Sequence, residues 1–166
     1  SPGARFNSGL SLEGGTAFGT ELCESVPGGA VPDNLIANPS DVAGNQVFGV
    51  WVKQFDGRQY RMKPSAHAQH YDYVPVDQGH SFGSPAWSIA DLGAHPFELV
   101  PMPIALDRSM VEPFVVRLAR FALVDARHIV QQIPDDWLTQ PEREALADYL
   151  IARVTGALQL LNASYP

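Results

Sequence analysis

Two acids, Asp56 in QFDGRQY and Asp77 in VPVDQGHSFG, offer the most direct chemistry in this sequence. Valine and proline suit an extended segment, and Gly79 permits backbone angles that a side chain resists, so Asp77 falls where a strand gives way to a tight turn. A carboxylate there can cap the turn, hold a metal ion or meet water. Phosphoryl transfer would use both acids, because it asks the protein for an acid that receives or orients the hydroxyl proton and for ligands that hold magnesium against the phosphates. Mg²⁺ takes hard oxygen ligands and keeps several waters, so one or two carboxylates suffice.

Other residues invite other chemistry. His67 and His70 form H-x-x-H, and His80 follows, which raises a zinc site; exposed histidines in a polar turn explain them as well, and no second cysteine joins Cys23. Residues 79–83, GHSFG, fit G-x-S-x-G literally, so Ser81 is a candidate hydrolase nucleophile, with Asp107 or Asp125 and His128 completing a triad. An elbow serine should open a helix, and Pro85 makes SPAWSIADLG a poor one. Trp51, Trp87 and Trp137 read as packing residues, with Trp137 expected to anchor the contact between two helices.

The elements that must position these residues are legible in part. Up to about residue 38 the chain repeats glycine and proline (EGGT, VPGGAVPDN), which predicts loops and short extended pieces contributing little core. SDVAGNQVFGVWVK clusters Val42, Val47, Phe48, Val50, Trp51 and Val52, consistent with a buried helix or a strand. Ser40 or Asp41 as N-cap favours the helix, two glycines and four valines weaken it, and a helix is the expectation. A polar turn, FDGRQYRMKPSAHAQ, leads to HYDYVPVD, whose aromatic and valine content predicts a strand returning toward the same edge. Asp56 opens that loop and Asp77 closes the strand, and residues 57–76 leave ample chain to fold both carboxylates toward one point.

The C-terminal half is helical. Ser109 and Glu112 match a capping box with Pro113 in the first turn, and Phe114, Leu118 and Phe121 recur at helical spacing. Asp125 caps a shorter helix, ARHIVQQ, that stops before Pro134. Thr139 and Glu142 form a second capping box ahead of Leu146, Leu150, Val154, Leu158 and Leu161.

Composition narrows the function classes. The chain has 166 residues, 45% hydrophobic, which suits one domain: a loop-rich segment over 1–38, the acid-bearing loops over 40–90, and a helical scaffold over 107–162. Lys plus Arg is 11 against 18 acids, a formal charge of -7, with no basic run, so nucleic acid is not an expected partner. A single cysteine, no cationic leader and no long apolar run predict a soluble, cytoplasmic protein without a membrane partner.

Together, GTAFGTEL, NPSDVAGNQVFGVWVKQFDGRQYRM, VDQGHSFGSPAW and IPDDW resemble the HipA-like kinase domain family. Asn38, Asp41, Gly44, Val47, Phe48, Trp51, Asp56, Gly57, Arg58 and Gln59 fall in order and without a gap on that family's run N-x-x-D-F-x-G-x-x-V-F-D-x-W-x-x-N-x-D-G-R-Q. The resemblance implies an α+β, mostly helical fold: a protein-kinase-like C-terminal lobe, distantly related to phosphatidylinositol kinases, with a small β element carrying the two loops.

On that reading DGRQ is the catalytic loop and DQG the metal segment. Asp56 is implied as the acid that orients the hydroxyl, and Asp77 as the Mg²⁺ ligand. Gln59 would lie near a second metal position, Arg58 would meet a phosphate or brace Asp56, and Gly79 and His80 would lie beside ATP.

The chain departs from the pattern at Gln54, where the family has asparagine, at Gly49, where it has aspartate, and at Val42, where the run has phenylalanine. No Gly-rich strand pair precedes the motif, so the nucleotide-clamping N-terminal lobe is expected to be absent from this chain. Transfer would then require a partner that supplies it. Three situations stay open: a fragment of a longer kinase, a split kinase completed by a second chain, or a non-catalytic pseudokinase or protein-binding module of a toxin–antitoxin or phage system.

Overall fold

Helix α1 (Pro39–Val52) packs against two later helices, the last strand of a small sheet and the turns over residues 78–83. The structure, a computed structural model, describes residues 26–27, 31–54, 60–67, 69–76, 78–83, 88–93 and 95–166. α1 buries Val42, Ala43, Gln46, Val47, Gly49, Val50 and Val52, which lie on several sides of the helix, so it is a core helix rather than a one-faced surface helix. The glycines that argue against a helix in sequence have packing roles. A Cβ on Gly44 would lie 2.8 Å from the Phe114 ring, and one on Gly49 2.7 Å from Val100, so each glycine is a notch that admits a neighbouring side chain.

The N-cap of α1 is Asn38, two or three residues ahead of the expected Ser40 or Asp41, with Pro39 at the first helical position. Asn38 instead treats the sheet as a partner: its Oδ1 accepts from the Tyr73 N–H (2.6 Å) while its Nδ2 donates to the Tyr73 carbonyl (2.9 Å) and to Asp41 (2.7 Å).

That sheet has three antiparallel strands in the order β1 (Val26–Pro27), β2 (Tyr60–Pro64) and β3 (Tyr71–Pro75). β3 is the strand expected in HYDYVPVD. β2 corrects the sequence reading, which placed YRMKP inside a polar turn. Arginine, lysine and proline have poor strand propensity, and the strand exists because Met62, fully buried, pairs with the buried Tyr73. A second correction concerns the N-terminal segment: Val31 and Ile36 enter the core with Val42, Met62 and Tyr73, and Ile36 bridges in parallel to Tyr71.

Burial also sets the titration of Tyr73, whose hydroxyl is pushed up to about 12 by removal from water against the opposing hydrogen bond from Asn45 (2.6 Å). A raised folded pKa stabilises below the unfolded tyrosine value near 10, and that contribution is lost as pH rises toward 12. Tyr73→Phe is therefore expected to flatten the alkaline limb of a denaturant-midpoint profile above about pH 10, leaving its shape near neutrality unchanged.

Among the described residues three further α-helices follow: α2 (Arg108–Ala119), α3 (Leu123–Gln131) and α4 (Gln140–Ser164). α4 opens on the predicted box, with the Thr139 N–H and hydroxyl both donating to Glu142 at 2.7 Å. Those bonds hold the Glu142 carboxyl below its usual value. α2 does not open at Ser109. Asp107 is its N-cap, accepting from the Met110 N–H (3.1 Å) and the Ser109 hydroxyl (2.7 Å), which leaves Pro113 beyond the first turn. Asp125 is the third residue of α3 and accepts from the Ala122 N–H at 2.9 Å. Trp137 lies 45% exposed, which overturns its expected role as an anchor between helices.

Two clusters complete the core. One joins α1, α2 and the C-terminal half of α4 (Val47, Val50, Val111, Val115, Ala157, Leu161), and the other joins the end of α1 to α3 and the start of α4 (Val52, Ala126, Val130, Leu146, Leu150). Among the described residues no helix is long and apolar enough to cross a membrane.

Candidate functional site

The region of interest is where α1 ends, because its last residues lead into the loop that carries Asp56. α1 stops in a Schellman turn: Lys53 takes a left-handed conformation (φ 57°) and the Gln54 N–H returns to the Gly49 carbonyl at 2.9 Å. Lysine is an unusual occupant of a position that glycine normally fills. Its contacts hold it there: the buried side chain reaches Glu98 at 3.0 Å, and its carbonyl accepts from the Gly83 N–H at 3.1 Å.

The carbonyls at the end of α1 find their partner on α4. Arg153, 4% exposed, donates through Nε to the Trp51 carbonyl (2.6 Å) and through its other nitrogens to Val50 (3.0 Å) and His95 (3.1 Å). A cation at a helix C-terminus is favourable for the dipole as well as for the orphan carbonyls. The guanidinium lies 4.2 Å from the centre of the Phe97 ring, and Phe97 in turn reaches α4 only because residue 156 is glycine, where a Cβ would stand 2.2 Å from the ring. Trp51 is tied to the same helix by its indole N–H on the Leu150 carbonyl (2.8 Å).

Beyond the loop, β2 begins at Tyr60, whose register partner is Pro75 near the end of β3. The chain leaving β3 then enters two short 3₁₀ turns over residues 78–83, kinked at Ser81 (ψ 155°) and at Phe82, whose positive φ of 65° is rare for an aromatic residue. Those turns return to α1. The Ser81 hydroxyl, buried, donates to Gln54 Oε1 (3.4 Å), which joins the residue just before the first loop to a residue just after the second.

Asp56, Arg58, Gln59 and Asp77 lie outside the described residues. Gly79 and His80 belong to the 78–83 turns, described there by their backbone. The described residues that flank the two loops are brought together in two pairs: the start of β2 with the end of β3, and the end of α1 with the 78–83 turns.

Other candidates have surroundings of their own. Ser81 is engaged by Gln54, Asp107 and Asp125 accept hydrogen bonds at the starts of α2 and α3, and His128 is exposed on α3. The His70 N–H donates to the His67 carbonyl (3.1 Å) in an exposed turn. Among the described residues no three His, Cys, Asp or Glu side chains gather closely enough to hold a metal ion.

Sequence reasoning missed Arg153 and the contact that joins Gln54 to Ser81. Arg153 was findable, because it falls three residues after Leu150 and four before Ala157, on the buried stripe of α4, where an unpaired cation must have carbonyl partners. Gln54 carries no such signal. Comparison with protein-family models, with curated proteins and with solved structures finds no match to the chain.

Proposed function

We propose that this chain is the C-terminal lobe of a HipA-like serine/threonine kinase, with its ATP and Mg²⁺ site at the end of the hairpin where the two acid-bearing loops leave the fold. Two things support the reading: the ungapped string from Asn38 to Gln59, and the pairing of Tyr60 with Pro75, which sets the exits of both loops side by side. The pairing carries it. A donor set of the Asp77 carboxylate and the Gln59 amide oxygen is all oxygen, which suits Mg²⁺. With no metal-binding group among the described residues, the loops are where such ligands would come from.

Asp77 and Gln59 would hold the ion, which when bound screens the charge of the phosphates. Asp56 orients the acceptor hydroxyl and takes its proton, Arg58 pairs with phosphate oxygens, and Gly79 and His80 line the nucleotide's side of the turn. The rigid base beneath them is the Arg153-capped end of α1. A partner or adjoining N-terminal lobe closes the other side of the nucleotide and excludes water.

Titration calorimetry with ATP tests this. Binding that requires Mg²⁺ and is lost in Asp77→Asn is the expected result; affinity that ignores both the ion and the substitution overturns it.

A second reading, a non-catalytic binding module, is favoured by Gln54. That residue replaces the motif's asparagine and is buried against Ser81, a structural role in place of a ligand-facing one. Partner binding that survives Asp77→Asn in a chain with no nucleotide affinity would select it.

A further inference from the structure

An aromatic groove runs along the outer face of α1. Gly44, Val47, Phe48 and Trp51 follow one another at helical spacing on α1, and Phe114, Leu118 and Phe121 face them from α2 and the residue pair after it. The cavity between them is about 530 Å³, and it continues past Phe48 into a second hollow of about 440 Å³ that ends at Asp41 and Pro75. Phe48 is 40% exposed on a helix that is otherwise largely core, and it stands edge-on to Trp51, which stands edge-on to Phe121. From Asp41 to Trp51 the groove is about 15 Å long at helical rise, the length of three turns of a docked helix.

The ends of the groove differ in charge. Arg117 and Arg120 line the α2 end, and neither side chain has an ion-pair or hydrogen-bond partner among the described residues. In a chain of net charge -7 these are two cations without a partner among the described residues, beside aromatic surface that water wets poorly. Asp125, also at that end, accepts from the Ala122 backbone and so is turned to capping α3.

We infer that this groove is a docking site for an amphipathic helix of a separate protein, one that inserts apolar or aromatic side chains at three- and four-residue spacing around Phe48 and sets carboxylates against Arg117 and Arg120. The apolar stripe supplies the contact area and the arginines fix the direction in which the helix lies. The inference is independent of phosphoryl transfer, since no groove residue named here is assigned to the nucleotide site.

A random-peptide phage library panned against the chain, with counter-selection on Phe48→Asp, tests it. The expected consensus has apolar anchors at helical spacing and Asp or Glu clustered at one end. A synthetic consensus peptide should lose about tenfold or more in affinity, by fluorescence anisotropy, against Phe48→Asp and against Arg117→Glu/Arg120→Glu. A lysine-substituted peptide should recover binding to the double variant. In case a variant folds poorly, the peptide should also shift the amide resonances of Gly44, Phe48 and Arg117 in the unaltered chain.

Four results overturn the inference: no enriched peptide, a consensus without acids, resonance shifts confined to other surfaces, or a groove already occupied. Occupation by a second copy would appear in sedimentation as a dimer that Phe48→Asp dissociates. Occupation by the chain's own residues 1–25 would appear as peptide binding only after their removal.

Discussion

Arg153→Met is expected to destabilise the chain by about 3 kcal/mol or more in equilibrium denaturation, although methionine fits an apolar core. The reason is the set of acceptors left behind: the carbonyls of Val50, Trp51 and His95 all take their hydrogen bond from this one guanidinium, and each unsatisfied buried acceptor costs about 1–3 kcal/mol. Arg153→Lys should recover less than half of the loss, since an ammonium cannot reproduce a planar fork that reaches three carbonyls while lying against Phe97. Arg61→Met, an exposed change on β2, should stay within about 0.5 kcal/mol of the unaltered chain and serves as the control. The effect would also reach the site, because Arg153 fixes the end of α1 from which the Asp56 loop departs. A loss below about 1 kcal/mol would mean that water replaces the guanidinium and that the end of α1 is not held from α4.

Asp56→Asn carries the second large effect. With the lobe that closes the site present, the rate of phosphoryl transfer measured in a single turnover should fall about 10²–10⁴-fold, the span associated with losing a positioned general base. On the kinase reading, affinity for Mg-ATP should change little, because that reading gives Asp56 the acceptor hydroxyl and Asp77 the ion. The two substitutions thus separate: one removes transfer and keeps binding, the other removes binding. Equal losses of binding in both would assign both acids to the metal.

How far the sequence foretells this molecule depends on where the information sits. α4 is legible because its box at Thr139 and Glu142 and its leucine spacing are local features, each within a few residues. The start of α2 is local as well, yet it lies two residues ahead of the box expected at Ser109 and Glu112. Asp107 prevails because its carboxylate meets both the Met110 N–H and the Ser109 hydroxyl.

β2 is illegible for the opposite reason. YRMKP contains little that favours a strand, and its conformation comes from pairing with β3 and from the depth at which Met62 is buried, neither of which is written in the segment itself. Val31 and Ile36 are similar, apolar residues in a stretch of glycine and proline that become core only because β3 and α1 provide the other walls.

The candidate site lies between these cases. That two acids frame a returning strand is readable from spacing. That the first loop ends in a strand paired with the second, and that Gln54 reaches across to Ser81, are long-range facts that only the fold supplies.

The most direct test of the account uses Mn²⁺ in place of Mg²⁺, with ATP present, and follows backbone amides by nuclear magnetic resonance. Convergence of the two loops on one ion predicts that the amides of Gly57 and Gln78 are broadened together at substoichiometric Mn²⁺, while amides at the far end of the hairpin, such as Ser65 and His70, keep their intensity. Broadening of only one of the pair, or of neither, would contradict a shared ion site and with it the kinase reading.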